Sequence, residues 1–154
     1  MKIVIIKYNA GNIQSVKYAL GRLGVKAVVT NDADEIYNAD KVIFPGVGEA
    51  SSAMSYLRTK NLDEVIPTIQ NPVLGICLVM QLMCSFSEEG STECMQLFPE
   101  KVRLFPPEEK VPHVGWNQVS KMKGPLFEGL SEKEWFYFVH SFYAETGASE
   151  SGVC

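Results

Sequence analysis

Residues 72–81 read Pro72-Val73-Leu74-Gly75-Ile76-Cys77-Leu78-Val79-Met80-Gln81, an apolar β-rich run that turns into a helical pattern with no loop between the two. A strand that ends in Gly-x-Cys and passes straight into a helix has the geometry of a nucleophile elbow, a sharp turn that presents one side chain at the edge of a sheet. The positive end of the following helix favours a thiolate, and the backbone N–H of Leu78 is placed to meet an oxyanion. Cys77 is therefore the candidate nucleophile, weighed against an inert buried cysteine. One residue departs from the pattern. The elbow calls for Gly two residues after the nucleophile, because strand and helix backbones pass close there, and this chain has Val79. A β-branched side chain at that point is expected to strain the elbow or to push Cys77 off its position.

Upstream, strand and helix patterns alternate. Ile3–Ile6 is a continuous apolar run of the kind found in strands buried on both faces. Asn12 is placed to cap a helix in which Ile13, Val16, Leu20 and Leu23 recur at spacings of three and four, with Gly24 as its stop. Residues 26–30 predict a second strand, 32–39 a short helix or turn, 41–44 a third strand, and 50–70 a longer helix that Pro67 interrupts or ends. Residues 73–76 predict the fourth strand and 78–86 the next helix. This order implies right-handed crossovers and a doubly wound, mostly parallel sheet flanked by helices. Ligands in such sheets sit at the carboxyl ends of the strands, which selects 7–12, 45–48 and the neighbourhood of Cys77. Downstream, 102–105, 116–120 and 135–143 are aromatic-rich strand candidates that read as antiparallel additions to the parallel core. Residues 145–154 are small and polar and read as a disordered tail or surface turn.

The chain has 154 residues, 46% hydrophobic and 21% charged, with 14 Lys+Arg against 18 Asp+Glu. That length predicts one domain spanning 1–154, large enough to hold a core without disulfides or metal. A formal net charge of -4 argues against broad electrostatic binding to nucleic acid or to an anionic membrane. No apolar run approaches the ~18 residues of a membrane span, and the N-terminus lacks a secretory pattern, so a cytoplasmic location is expected. Cys77, Cys84, Cys94 and Cys154 form no C-x-x-C pair, and with His113 and His140 as the two histidines no metal-ligand spacing arises.

Phe44-Pro45-Gly46-Val47-Gly48 places two glycines at the end of a strand. That arrangement permits inward N–H groups suited to an oxyanion hole or an anion nest. It gains weight beside an elbow cysteine, because acyl transfer needs two convergent donors and Leu78 supplies one. A thiolate mechanism also needs a base. His113 lies between Pro112 and Gly115-Trp116, and His140 continues an aromatic strand, so neither is assigned that role.

Five ordered segments resemble one family: 7–16, Phe44 to Gly48, 75–82, the Val111-Pro112-His113-Val114-Gly115-Trp116-Asn117 stretch, and Tyr137-Phe138-Val139-His140-Ser141-Phe142-Tyr143. The family is the glutamine amidotransferase subunit of imidazole glycerol phosphate synthase, within the flavodoxin-like, triad-type class I glutamine amidotransferases of histidine biosynthesis. The resemblance covers residues 1 to about 144. It implies hydrolysis of L-glutamine to glutamate and ammonia through a thioester on Cys77, with no cofactor and no metal. It further implies an oxyanion hole from Val47, Gly48 and Leu78, and glutamine binding by Gly46, Gln81, His140, Ser141 and Phe142. Ammonia would pass to a (β/α)8-barrel cyclase subunit in a heterodimer, docked against Asn9, Gly11, Asn12 and Trp116.

Two departures bear on activity. Val79 stands where the family has glycine. The family's His-Pro-Glu segment, with the triad base and its orienting carboxylate, belongs after residue 144 and has no counterpart in 145–154. The resemblance thus implies a C-terminally shortened domain and an impaired glutaminase, since loss of a triad member costs several powers of ten in rate. Two further readings stay open: a non-catalytic docking subunit of the cyclase, and another cysteine hydrolase of this fold using His140 or His113 as base.

Overall fold

The structure, a computed structural model, describes residues 1–8 and 11–146. The opening apolar run forms β1 (Ile3–Ile6), buried along its whole length. Asn12 then caps α1 (Ile13–Arg22), its side chain accepting the Ser15 N–H at 3.1 Å. The chain continues through β2 (Ala27–Thr30), α2 (Ala33–Tyr37), β3 (Lys41–Gly46), α3 (Ala50–Thr59), α4 (Leu62–Val65), β4 (Val73–Cys77) and α5 (Leu78–Leu82). All four strands are parallel, in the order β2-β1-β3-β4.

Pleat and register sort the sheet into two faces. Val4, Ile6, Val42 and Phe44 share one core with Ile36, Leu57, Leu62, Leu78, Val79 and Leu82, so α2 to α5 pack on that side. On the other face Ile5 is fully buried, yet Ile76 is exposed and α1 contributes no fully buried side chain.

Several predicted boundaries move, each for a local reason. The third strand runs on through Pro45-Gly46, because β1 stops pairing at Ile43 and the missing proline N–H faces no partner there. The helix expected over 50–70 breaks at Asn61, which adopts φ 54°, a left-handed conformation that asparagine tolerates. Pro67 lies beyond that break, inside a 3₁₀ turn. The helix expected over 78–86 ends at Leu82. Ser85 N–H donates to the Glu100 carbonyl at 2.9 Å and draws the chain into a second sheet.

The antiparallel strands expected in the second half are present, but they form this sheet and a third rather than extending the parallel core. β5 (Phe86–Ser87), β6 (Thr92–Glu93), β7 (Lys101–Leu104) and, further on, Phe142–Ala144 make a separate four-stranded sheet in which β5 and β7 run parallel. β8 (His113–Gln118) and β9 (Trp135–His140) form an antiparallel pair of their own. The run 135–143 splits at Ser141 into β9 and β10 (Phe142–Ala144). Residue 145 is not loose tail: Glu145 accepts from Arg103 Nε at 2.8 Å, and its N–H donates to the Lys101 carbonyl at 2.8 Å. The predicted tail beyond 146 lies outside the described residues. Among the described residues no helix is long and apolar enough to cross a membrane.

Candidate active site

Cys77 is the last residue of β4 and the N-cap of α5, at φ 55° and ψ -118°, with its side chain exposed. A non-glycine residue adopts that conformation only where its surroundings enforce it. Here they do. Gly46 pairs with Cys77 across β3 and β4, and both strand backbones crowd the start of α5. A Cβ on Gly46 would lie 3.1 Å from Val79 N, and one on Gly75 would lie 3.1 Å from Met80 N and 2.9 Å from Met83 Sδ. Glycine at both positions is what lets the strands come so close.

Val79 does not displace the elbow. It is fully buried in the core, and its Cγ2 lies 2.5 Å from where a Cβ on Gly46 would stand. The valine occupies room that residue 46 leaves empty. Cys77 keeps the elbow conformation with a β-branched residue two places on.

The other glycine-rich segment ends at the same edge. Val47 is half exposed, and Gly48 takes φ +107° with open space where a Cβ would stand. The Val47 amide, one of the expected oxyanion donors, donates to the Tyr8 hydroxyl at 3.0 Å. The same hydroxyl donates back to the Val47 carbonyl at 3.0 Å. Tyr8 is 6% exposed and packs edge-on against Phe44 with ring centroids 5.4 Å apart. Burial raises its pKa, and the charge of Cys77 pushes it the same way, while the bond to Val47 pulls it back. Sequence reasoning missed this residue. Its signal was a tyrosine following an all-buried strand at a carboxyl end, where the hydroxyl must find a partner.

Of the residues expected to bind glutamine, Gln81 and the 140–142 turn are brought together, while Gly46 lies on β3 beside Cys77. Buried Gln81, on α5, donates from Nε2 to the Phe142 carbonyl at 2.9 Å. His140 Nδ1 meets the same carbonyl at 2.8 Å. A carbonyl only accepts, so Nδ1 is the donor in that contact. The carbonyl of Ser141 accepts from Phe105 N–H at 3.1 Å, fixing the turn between them. His113 and His140 pair across β8 and β9, their rings 5.5 Å apart, and both pack near Phe105. They line a pocket of about 410 Å³ with Phe138 and Tyr143, and Cys77 is not part of its wall.

Of the residues expected to face a partner, Asn9 lies outside the described residues. Gly11 and Asn12 have local structural work. A Cβ on Gly11, at φ +114°, would stand 2.7 Å from the Pro45 carbonyl oxygen, and Asn12 caps α1. Trp116 is 65% exposed, so it is not a core tryptophan. It meets Tyr137 edge-on at 5.4 Å, and alternation puts exposed Val114, Trp135 and Val139 on the same face of the β8–β9 pair. Trp116 alone was expected there; the period of two along both strands carries the rest.

Cys84 and Cys94 are buried, and burial pushes each thiol up to about 11. Among the described residues no group of three or more His, Cys, Asp or Glu could hold a metal ion.

The class I glutamine amidotransferase family model matches residues 4–153. The chain is 56% identical over 146 residues to the imidazole glycerol phosphate synthase subunit HisH of Bacteroides thetaiotaomicron, covering 93% of this chain and 74% of that protein. It is 45% identical over 155 residues to the HisH subunit of Xanthomonas euvesicatoria, covering 99% of this chain and 78% of that one. A solved glutamine amidotransferase superposes with a TM-score of 0.66 over 90% of this chain and 70% of its own, at 17% identity, a likeness of fold. Similarity this close, running through the elbow and through the strands that flank it, means that the chain belongs to the class I glutamine amidotransferases, in the family of HisH subunits of imidazole glycerol phosphate synthase.

Proposed function

We propose that this chain is the glutaminase subunit of a histidine-biosynthetic imidazole glycerol phosphate synthase, in which Cys77 attacks the side-chain amide of L-glutamine. The sulfur–carbon bond forms as the carbonyl electron pair moves onto oxygen. Collapse expels the nitrogen, with a proton, as ammonia and leaves a thioester. Water then cleaves the thioester, releasing glutamate and restoring the thiol. The observation that carries this reading is Cys77 itself: exposed, at φ 55°, on a junction of strand and helix with Gly46 paired beside it.

The remaining roles follow from position. Leu78 N–H, at the first turn of α5, with the Val47 and Gly48 amides, would stabilise the oxyanion. Gly46, Gln81 and the turn His140-Ser141-Phe142 would hold the glutamine. The apolar face of Val114, Trp116, Tyr137 and Val139 supports docking on a (β/α)8-barrel cyclase that receives the ammonia, because buried aromatics anchor such interfaces. Gly11, Asn12 and Asn9 would extend that contact.

The proton acceptor of the triad is not supplied by these 154 residues. His113 is followed by Val114 and His140 by Ser141, so no His-Pro-Glu segment is present. The exposed apolar face of β8 and β9 is the observation behind a second reading, a docking subunit that supports a cyclase fed by free ammonium.

Glutamate release from glutamine, measured on the chain mixed with its cyclase and nucleotide ligand, separates the two. Turnover that disappears in Cys77→Ala supports the glutaminase reading. Co-purification with the barrel but no glutamate supports the docking one. Brisk turnover lost in His140→Ala, with folding intact, would overturn both in favour of a different cysteine hydrolase.

A further inference from the structure

We propose that His113 and His140 together form a site for a divalent first-row transition-metal ion of the zinc class, on the face of the β8–β9 pair opposite Trp116. The chain has two histidines, and the fold brings both to one place. They are direct partners in the antiparallel ladder, so their side chains leave the same face of it. Their ring centroids lie 5.5 Å apart, with the ring planes at 81°. An imidazole nitrogen bound at about 2.1 Å sets a zinc ion about 3.2 Å from the ring centre, so two rings at a tetrahedral angle stand about 5.2 Å apart. The pair thus already has nearly the spacing of two ligands to one ion. No spacing along the chain announces it; the ladder register makes it.

His140 is held as metal-binding histidines are. Its Nδ1 donates to the Phe142 carbonyl at 2.8 Å, a bond that fixes the ring and leaves Nε2 to meet an ion. The same carbonyl accepts from Gln81 Nε2 at 2.9 Å, so the ring is tied through it to α5. The His113 ring makes no hydrogen bond among the described residues, and its contacts are with the rings of Phe105, Phe138 and His140. A half-buried polar ring among aromatic side chains is left with a nitrogen to offer. Both imidazoles line the pocket of about 410 Å³, which has room for the ion and for water in its remaining positions. Glu109 lines the same pocket and adds charge opposite to that of the ion. Imidazole ligands suit zinc, copper and nickel, whereas magnesium and calcium take oxygen. Cys77 is not part of this wall, so the site stands apart from the glutaminase reading and goes beyond it.

The untagged 154-residue chain tests this, with its accessible thiols first alkylated by iodoacetamide so that no thiolate competes for the ion. Zinc chloride is titrated in while the imidazole protons are followed by NMR. With two histidines in the chain, two sets of ring signals report. Both are expected to move or broaden together and to saturate at one zinc per chain, and magnesium chloride at the same concentration is expected to leave both in place. His113→Phe keeps a ring packed against Phe105 and Phe138 and removes one ligand. Its zinc affinity, read by calorimetry, should fall about a hundredfold, the loss when one of two linked arms is removed. Excess zinc should raise the thermal midpoint of the parent chain and leave that of His113→Phe within about 1 °C. Zinc that moves one ring or neither, a response shared with magnesium, or an affinity that His113→Phe keeps within about threefold overturns the proposal. If His113→Phe does not fold, the two-ring response of the parent chain decides.

Discussion

The fit of Val79 against Gly46 can be tested by a double-mutant cycle. Gly46 takes a backbone conformation open to any residue, so Gly46→Ala has two opposed effects. Reduced freedom of the unfolded chain stabilises the variant by about 0.4–1 kcal/mol. Against this stands the new methyl, which meets Val79 Cγ2 at 2.5 Å, the Tyr8 hydroxyl at 2.9 Å and Val79 N at 3.1 Å. Overpacking of this kind costs about 1–3 kcal/mol. The net expectation is a loss of about 1–2 kcal/mol, or roughly 3–6 °C in Tm for a chain of this size. Val79→Ala removes two buried carbons, about 1.6 kcal/mol of transfer free energy, and the cavity brings the cost to roughly 2–3 kcal/mol.

In the double variant the valine methyl that the added Cβ at position 46 would strike is gone. Its cost should therefore fall short of the sum of the two by at least about 1 kcal/mol, the scale of coupling between residues in contact. Urea unfolding of the four proteins, with slopes compared to confirm a common unfolded state, measures this directly. Costs that add to within about 0.5 kcal/mol would refute the reasoning: Val79 would then owe nothing to the missing side chain at 46. A stable Gly46→Ala would refute it more simply.

Four further outcomes concern the thiols, the 140–142 turn and the exposed aromatic face. Iodoacetamide at about pH 8 should modify Cys77 in the native chain and reach Cys84 and Cys94 only in urea, as peptide mass spectrometry can show, because those two are buried. The same two thiols give a pH dependence: unfolded, they release protons near the ordinary value of 9.0, and folded they hold them to about 11. The native state therefore binds more protons between those limits, and stability should fall as pH rises from about 9 to about 11, read as a declining urea midpoint. Gln81→Leu removes one of the two donors on the Phe142 carbonyl and should cost about 1 kcal/mol and raise KM for glutamine, whereas an unchanged KM would count against a role in positioning 140–142. Trp116→Ala should leave Tm within about 1 °C, since the ring is exposed, yet weaken binding to the cyclase about 30-fold, the scale of an aromatic anchor, as titration calorimetry would register.

The parallel half of the fold was legible because its signals are local. Ile3–Ile6 is apolar without a break, and Asn12 stands where a cap belongs and makes it. The second half was legible only as strands. Which strand pairs with which depends on distant partners such as Ser85 with Glu100 and Arg103 with Glu145, and no period along the chain reports those. The site divides the same way. Cys77 announces itself through the residues on either side of it, and Gln81 follows one turn later. Tyr8 lies 39 residues from Val47, and neither residue type hints at the other.

Val79 shows how a motif can be right in its physics while one of its letters changes. Glycine after an elbow nucleophile serves to let a strand and a helix approach, and any atom that would have filled the gap can be removed from either side. Here the strand side gives way twice. Gly46 on β3 and Gly75 on β4 both face the first turn of α5 so closely that a Cβ on either would crowd it, 3.1 Å from the nitrogens of Val79 and Met80. With the strands stripped of side chains, the helix can carry a valine, and that valine then fills the space beside Gly46 and helps to fix it. The consequence reaches the chemistry. The strand end that Val79 braces at residue 46 is the one that the buried Tyr8 hydroxyl holds through both polar groups of Val47, beside the exposed thiol of Cys77.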